Sequence, residues 1–141
     1  MEDVDVAVIV VGENPYAEFF GDIGGEMNLF QLTLPEEQQK FITAYAKRGI
    51  KTVVILISGR PLVMTQQIEQ SDAFVAAWLP GSEGDGIAEV LFGQFDFKGK
   101  LPHSWPKSVE DYKGKYGPNF WDNSIEPLYP FGFGLNYHNK L

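Results

Sequence analysis

Three carboxylates stand close together near the start of this chain, and their type and spacing suit acid–base chemistry. Glu13, Glu18 and Asp22 share a short stretch with Tyr16 and a pair of phenylalanines. Aromatic surroundings remove water from a carboxyl group and raise its pKa, and such a group acts as a general acid near neutral pH. The alternative is that these are solvated loop acids in an acidic protein, and the stretch alone favours that alternative.

The element that would position these carboxylates is the apolar run directly before them. Residues 4–11 are β-branched and apolar apart from Asp5, which predicts a strand covered on both faces of a parallel sheet. In open α/β sheets, ligands bind beyond the carboxyl ends of the strands. The acidic stretch is therefore expected at the edge where chemistry occurs.

The following segments alternate between helix and strand patterns. Residues 33–36 form a capping-box pattern that opens a helix running to about Arg48, with Gly49 just past its end. The apolar stripe of this helix is expected to face the sheet and consists of Leu34, Gln38, Phe41, Ile42 and Tyr45. Further strands are predicted over 52–57 and 73–78, with a short helix within 62–70 and another helix over 85–92.

This alternation predicts an α/β protein, a three-layer sandwich with a mostly parallel sheet that is flavodoxin-like in outline. The length of 141 residues predicts a single domain. From Gln94 onward aromatic residues lie among glycines and prolines and no long helix is expected. Residues 110–126 are predicted to be an ordered surface loop, and residues 127–135 an extended segment packed by its aromatics.

Composition excludes several classes of function. The net charge of -8 argues against nucleic-acid binding, and the absence of cysteine excludes disulfides and thiolate chemistry. No apolar run approaches the roughly 20 residues that cross a bilayer, so no membrane association is expected. The acidic N-terminus lacks the features of a signal peptide, which favours a cytoplasmic location unless a leader has been removed.

Other candidate sites are weaker, so neither a cofactor nor a metal is expected. The glycine-rich turn at residues 80–86 lacks a phosphate-binding fingerprint, and its acids would repel phosphate, which disfavours a nucleotide or flavin. His103 and His138 have no partner at metal-ligand spacing. Ser58 and Ser82 lack the context of a nucleophilic serine.

Several motifs, in their order and spacing, resemble one family across nearly the whole chain. The sequence is similar to the C-terminal α/β domain of glycoside hydrolase family 3, in its β-glucosidase and exo-β-glucanase branch. The motifs that carry the resemblance are Gly12-Glu13-x-Pro15-Tyr16-x-Glu18 with Gly21-Asp22, Leu56-Ile57-Ser58-Gly59-Arg60-Pro61, Ala76-Ala77-Trp78-Leu79-Pro80-Gly81-Ser82-Glu83-Gly84, Ala88-Glu89-Val90-Leu91-Phe92-Gly93, Gly99-Lys100-Leu101-Pro102-x-Ser104-Trp105-Pro106 and Pro127-Leu128-Tyr129-Pro130-Phe131-Gly132-Phe133-Gly134-Leu135.

The resemblance implies a retaining mechanism, in which an Asp attacks the anomeric carbon while a second carboxylic acid protonates the leaving oxygen. The family's acid/base residue falls on Glu18, and Glu13 is the rival assignment. Asp22 and Tyr16 are expected to support it, Asp22 by organising the loop through hydrogen bonds. The family's nucleophile belongs to a preceding barrel domain, which this sequence does not contain.

That difference shapes the functional expectation. By comparison with the family's pattern, the sequence is also expected to lack the first strands of the α/β domain and the aromatic segment that helps to frame the sugar cleft. We therefore expect one part of a β-glucosidase that is inactive without a barrel, and that self-associates or complements a barrel chain. The alternative is a non-catalytic binding or assembly module that folds alone.

Overall fold

The computed structural model describes residues 4–15, 32–112 and 126–139. The chain divides into two compact units, Met1–Leu79 and Pro80–Leu141. The elements are strand β1 (Val6–Gly12), helix α1 (Glu36–Lys47), strand β2 (Lys51–Ile57), helix α2 (Thr65–Glu69), strand β3 (Ala73–Trp78), helix α3 (Gly84–Leu91) and a 3-10 helix (Val109–Tyr112). The prediction of a single domain stays a prediction.

The first unit contains a parallel sheet in the order β1-β2-β3. The β1–β2 register runs without a break from the Val6–Lys51 pair to the Gly12–Ile57 pair. Since α1 lies between β1 and β2 along the chain, these elements form the βαβ unit expected from the sequence. The α/β class with a parallel sheet is confirmed, and the arrangement is consistent with a three-layer sandwich.

The core of this unit lies where α1 meets the sheet. Helix α1 packs against β1, β2 and α2. Ile42 of α1 is fully buried, as are Val54 and Leu56 of β2. Alternate residues of a strand point to the same face, so this face of the sheet packs against α1 and its apolar side chains contribute hydrophobic stabilisation. Ile55, on the other face of β2, is buried as well.

Two details of the predicted α1 helix are wrong. The N-cap position is held by Pro35 and not by Thr33, and no side chain caps the helix from that position. Phe41, expected to face the sheet, is 61% exposed. It precedes Ile42 by one position, and a helix turns about 100° per residue. With Ile42 directed into the core, its neighbour lies on the flank of the helix, in contact with water.

The C-terminal end of α1 agrees with the prediction. Arg48 is the C-cap and Gly49 follows with a φ of 68°. That left-handed conformation is accessible to glycine without the steric cost that a Cβ brings. The chain can therefore reverse sharply and start β2 two residues later.

The prediction that the first strand is covered on both faces is wrong for the described residues. Val8 is 56% exposed and Val10 is 62% exposed, whereas Ala7 and Val11 on the opposite face are buried. Within the described ranges β1 pairs with β2 alone and is an edge strand with α1 on one face. An unbroken apolar sequence shows that both faces are suited to burial, but it does not supply the layer that buries the second one.

The second unit is held together by pairing between its two described segments. Trp105 is buried and forms an antiparallel bridge with Tyr129. Leu101 and Phe133 join the same pairing through a main-chain hydrogen bond, and Tyr129 stacks on Phe133 at 4.4 Å between ring centroids. The extended aromatic segment predicted over 127–135 is therefore present. Of the loop predicted over 110–126, residues 113–125 lie outside the described residues.

Asp72 links the amino ends of β2 and β3, and its contacts predict a pH dependence. The Lys51 ammonium and the Thr52 main-chain N–H donate to its carboxylate, and the hydrogen bond from Lys51 is the main reason that the pKa of Asp72 is lowered. A carboxyl whose folded-state pKa is lowered stabilises the fold above its unfolded pKa of about 3.9, and this stabilisation disappears as pH falls through the folded value.

We expect Asp72→Asn to lower the free energy of unfolding near neutral pH, and to make that free energy fall less steeply as the pH is lowered into the acid range. Urea unfolding at several pH values between about 2 and 7 measures this; an acid limb as steep as that of the parent chain would contradict it.

The exposed valines of β1 predict self-association of the isolated chain. Among the described residues β1 pairs with β2 alone, and the outer main-chain groups of an apolar edge strand can pair with the same strand of a second copy. We expect a concentration-dependent dimer in sedimentation velocity that Val8→Lys abolishes, while Lys40→Gln on α1 leaves it unchanged. A monomer at every concentration would contradict the expectation.

Candidate active site at the carboxyl end of the sheet

The strands β1 and β2 approach closely where they end. Gly12 pairs with Ile57, and a Cβ built on Gly12 would lie 2.7 Å from the Ile57 carbonyl oxygen. The Gly12 N–H donates to Gln38 Oε1 at 2.9 Å. Glycine is required here because any side chain would push the strands apart. The chain therefore leaves β1 in contact with the end of β2.

Glu13 is the first residue after β1, and its side chain is bound on both carboxylate oxygens. Oε2 accepts a hydrogen bond from Arg60 Nε at 2.9 Å, and Oε1 accepts one from the Gly59 N–H at 3.2 Å. The two side chains are nearly withdrawn from water, with 8% of Glu13 and 13% of Arg60 exposed. Glu13 and Arg60 thus form a buried ion pair across the ends of two adjacent strands.

This geometry limits what Glu13 can do chemically. An ionised carboxylate is an acceptor only, and here each of its oxygens already receives a donor from the chain. A general acid must present a proton to the leaving group within hydrogen-bond reach. Glu13 is therefore suited to a structural role, in which its carboxylate binds the turn after β2.

The turn after β2 is itself fixed by hydrogen bonds. Ser58 is buried, and its hydroxyl donates to the Arg60 carbonyl at 2.7 Å. The Ser58 N–H donates to the Trp78 carbonyl of β3 at 3.1 Å. The hydroxyl holds the backbone in the conformation that directs Arg60 back toward β1. The ends of all three strands are tied together in this way.

Trp78 ends β3 in an uncommon conformation that sequence reasoning missed. Its φ is 55°, and the β2–β3 register shifts there, so that Ala77 is an extra residue before the Ile57–Trp78 pair. A bulky residue in the left-handed region is strained by roughly 1–2 kcal/mol. Bulges of this kind redirect side chains and are common beside active sites. No sequence signal marks it, since the run 73–78 is an ordinary strand pattern.

Three of the four predicted site residues cannot be compared with the structure. Glu18, Asp22 and Tyr16 lie outside the described residues. Of the predicted carboxylates, the described structure therefore contains only Glu13, which it places at the expected edge. Sequence reasoning did not foresee its pairing with Arg60. The available signal was the presence of opposite charges immediately after two adjacent parallel strands.

Several other candidates of the sequence belong to the second unit. His103 and His138 belong to the second unit, and in the described part of the chain no cluster of His, Asp or Glu is suited to hold a metal. The glycine-rich turn carries Glu83 at the N-cap of α3 and Asp85 in its first turn. Among the residues that the structure covers, no helix is long and apolar enough to span a membrane.

Comparison with known families decides the relationship of this chain. The model of the glycosyl hydrolase family 3 C-terminal domain matches residues 1–137. The chain belongs to glycosyl hydrolase family 3. The resemblance expected from the sequence motifs is confirmed.

Relatives within family 3 are glycoside hydrolases of several kinds. The periplasmic β-glucosidase of Salmonella typhimurium is 35% identical, and the match covers 96% of this chain and 20% of that protein. The lysosomal β-glucosidase of Dictyostelium discoideum is also 35% identical, over 94% of this chain and 16% of that protein. The xylan 1,4-β-xylosidase of Xylanibacter ruminicola is 33% identical, with coverages of 94% and 16%.

Solved family 3 structures have the same fold. A mutant of the exo-1,3/1,4-β-glucanase from a Pseudoalteromonas species superposes with a TM-score of 0.80 at 39% identity, covering 100% of this chain and 22% of that one. The Listeria innocua β-glucosidase in complex with isofagomine gives a TM-score of 0.73 at 32% identity, with coverages of 96% and 21%. The chain thus spans about a fifth of the length of these proteins.

The buried Glu13–Arg60 pair predicts a characteristic pattern of stability changes. Replacing Arg60 by Met leaves a buried carboxylate without its guanidinium partner and should cost about 3 kcal/mol of unfolding free energy. The double variant Glu13→Leu/Arg60→Met removes both charges and should be more stable than Arg60→Met alone. Urea unfolding of the parent, the two single variants and the double variant measures this coupling.

Glu36→Gln provides the control for this cycle. It breaks the exposed ion pair with Lys40 on α1, and exposed pairs contribute little to stability. We expect a nearly unchanged unfolding midpoint. Strictly additive effects of the Glu13 and Arg60 substitutions would contradict the coupling of the two charges.

Proposed function

We propose that this chain supplies the acid/base carboxylate of a retaining β-glucosidase, with Glu18 in that role. The match to the family 3 C-terminal domain over residues 1–137 carries the proposal. It places the chain in a family whose curated relatives include β-glucosidases, and Glu18 occupies the family's Pro-Tyr-x-Glu motif.

The contacts of Glu13 support Glu18 over its rival. Both oxygens of Glu13 are occupied by Gly59 and Arg60, and the carboxylate is withdrawn from water. A residue that must alternately give and take a proton at the glycosidic oxygen needs access to substrate. Under this proposal Asp22 and Tyr16 support Glu18, with Asp22 ordering the loop by hydrogen bonds.

The proposed reaction proceeds in two displacement steps. An Asp on a barrel domain attacks the anomeric carbon, the glycosidic C–O bond breaks, and the Glu18 carboxyl gives its proton to the departing oxygen. Water then attacks the same carbon and loses a proton to the Glu18 carboxylate, while the bond to the Asp breaks and releases the sugar. A retaining mechanism requires the two carboxyl groups to lie about 5 Å apart. In this proposal the chain supplies the acid/base carboxyl group and the barrel domain supplies the nucleophile.

The isolated chain is therefore proposed to be inactive. Nucleophilic attack and the holding of the sugar ring together supply many orders of magnitude in rate, and both belong to the barrel. Its partner in this proposal is a barrel-containing chain, with β-glucosides as the substrate class. β-Xylosides are the runner-up, because β-xylosidases also match this chain.

A non-catalytic assembly module is the second candidate. The exposed valines of β1 favour it, because an apolar strand face on the described surface suits contact with another protein. In that case neither carboxylate would take part in catalysis.

A complementation assay tests the proposed function. The purified chain is assayed on aryl β-glucosides and β-xylosides, alone and mixed with a separately expressed barrel-containing fragment of a family 3 enzyme. We expect no turnover alone and turnover on mixing, reduced at least about 100-fold by Glu18→Gln because general acid–base catalysis contributes on this scale. Glu13→Gln should reduce it less.

The outcomes separate the candidates. Turnover by the chain alone would contradict the proposal that the nucleophile belongs to a barrel domain. No turnover in the mixture would favour the assembly module. Full activity of Glu18→Gln in the mixture would refute the assignment of the acid/base residue.

A further inference from the structure

The outer edge of β1 is an unprotected strand edge. The Glu13 N–H donates to the Ile57 carbonyl of β2, so alternate residues of β1 direct their main-chain groups to β2, while those of Val6, Val8 and Val10 point outward. The same three valines have exposed side chains. Edge strands are usually protected by a charge, a proline or a bulge, but this segment contains no charge and no proline, and its register with β2 is unbroken. The edge is therefore able to take an added strand.

One polar contact limits how far an added strand can extend. The Gly12 N–H also points outward, and it donates to Gln38 Oε1 of α1 at 2.9 Å. An added strand cannot use this donor without displacing Gln38. At its other end, β1 begins at Val6. Among the described residues of the strand, the outward groups that are left for pairing are therefore those of Val6, Val8 and Val10.

The same contact shows which flank of α1 lies over this edge. Phe41 and Tyr45 follow Gln38 at the helix positions i+3 and i+7, so the three side chains share one flank. The other flank faces α2, where the Thr43 hydroxyl donates to Gln70 Oε1. Phe41 is exposed and Tyr45 is half-buried. An aromatic flank of α1, in contact with water, therefore lies beside the open edge of β1.

The spacing of the layers allows both features to meet a second copy at once. In an antiparallel pair of β1 strands, a two-fold axis runs between them, perpendicular to the sheet. Helix α1 packs against both β1 and β2, so the two α1 helices would lie two strand spacings apart, about 10 Å. Helices that pack directly are separated by about 8–10 Å. One axis therefore brings strand to strand and helix flank to helix flank.

Charge favours the same antiparallel arrangement. Glu37 precedes Phe41 by four positions and Arg48 follows it by seven, so both lie on the Phe41 side of α1. In an antiparallel helix pair, the acidic first turn of each helix lies at the same end as the basic last turn of the other, and the two helix dipoles run in opposite directions. This surface is therefore complementary to itself in charge as well as in shape.

We propose that the outer edge of β1 and the Phe41 flank of α1 form one interface that binds a second copy of this chain. The two-fold axis passes beside Val8, so that Val8 lies opposite Val8 of the second copy and Val6 lies opposite Val10 of the second copy. This register uses the three outward residues of both copies and leaves the hydrogen-bonded cap at the end of β1 intact. The interface uses neither candidate carboxylate, so it is compatible with either candidate function.

Disulfide cross-linking tests the register, because the chain has no cysteine of its own. Residues in a hydrogen-bonded antiparallel pair have Cα atoms about 5.5 Å apart, and disulfides bridge Cα separations of about 4.4–6.8 Å. We expect Val8→Cys to form a covalent dimer under mild oxidation. A mixture of Val6→Cys and Val10→Cys should do so as well, while neither of these variants does alone. Ala73→Cys, at an exposed position of β3, is the matched control and should not cross-link.

The yield of covalent dimer on a non-reducing gel decides the outcome. A cross-link in Val8→Cys that forms no faster than in Ala73→Cys would overturn the proposed interface. Efficient cross-linking of Val10→Cys alone would overturn it too, because that result requires a different register or a parallel pairing of the two strands.

Substitution of Phe41 tests the helix flank. Phe41→Ser removes a ring that is already in water in the single copy, so the urea midpoint of the monomer should stay unchanged. We expect the dissociation constant of the dimer to rise at least about tenfold in sedimentation velocity, because an aromatic contact at an interface is lost. Lys40→Gln, at the neighbouring exposed position, is the control and should leave the constant unchanged. An unchanged constant in Phe41→Ser would exclude α1 from the contact and overturn the proposal.

Discussion

The unbroken parallel pairing of β1 with β2 is the constraint on which the site depends. Its last pair, Gly12 with Ile57, brings the two backbones so close that a methyl group would collide with a carbonyl oxygen. This approach sets Glu13 beside the Gly59–Arg60 turn, at a distance where an ion pair forms. A slip of one residue in the register would turn every side chain of β1 to the other face and separate these charges.

The carboxyl ends of β1, β2 and β3 are joined to one another. Hydrogen bonds connect Glu13 to the turn after β2, and that turn to the end of β3. The opposite end of the sheet is held differently, by the exposed Lys51–Asp72 pair. Water screens that pair, so it contributes little to rigidity. The Glu13–Arg60 pair is largely withdrawn from solvent, so its attraction is screened less than that of the Lys51–Asp72 pair.

Under the proposed function, a support of this kind is useful in a chain that spans about a fifth of the length of its relatives. In a two-carboxylate mechanism the two groups approach one bond from different parts of the protein. When those parts are separate domains, the precision must be built into each. In this chain a main-chain register, a glycine contact and a carboxylate bound on both oxygens fix the ends of β1 and β2 relative to each other.

Much of the fold follows from local patterns, and the parallel sheet illustrates why. The apolar runs, the glycine after α1 and the alternation of elements predicted the strands β1, β2 and β3, and β3 with its observed bounds. Strand periodicity and glycine conformation are properties of a few neighbouring residues, so the sequence states them directly. The family motifs also depend on order and spacing alone, and they identified the family.

What the sequence by itself determined, then, is the class of fold, the family and the edge where chemistry would be sought. Only the tertiary structure decided that Phe41 lies in water, that one face of β1 is exposed, that Trp78 is strained and that Glu13 is bound by Arg60. Each of these depends on which elements pack together across long separations in the chain. Glu13 and Arg60 are brought into contact by strand register, and no local pattern around either residue encodes that meeting.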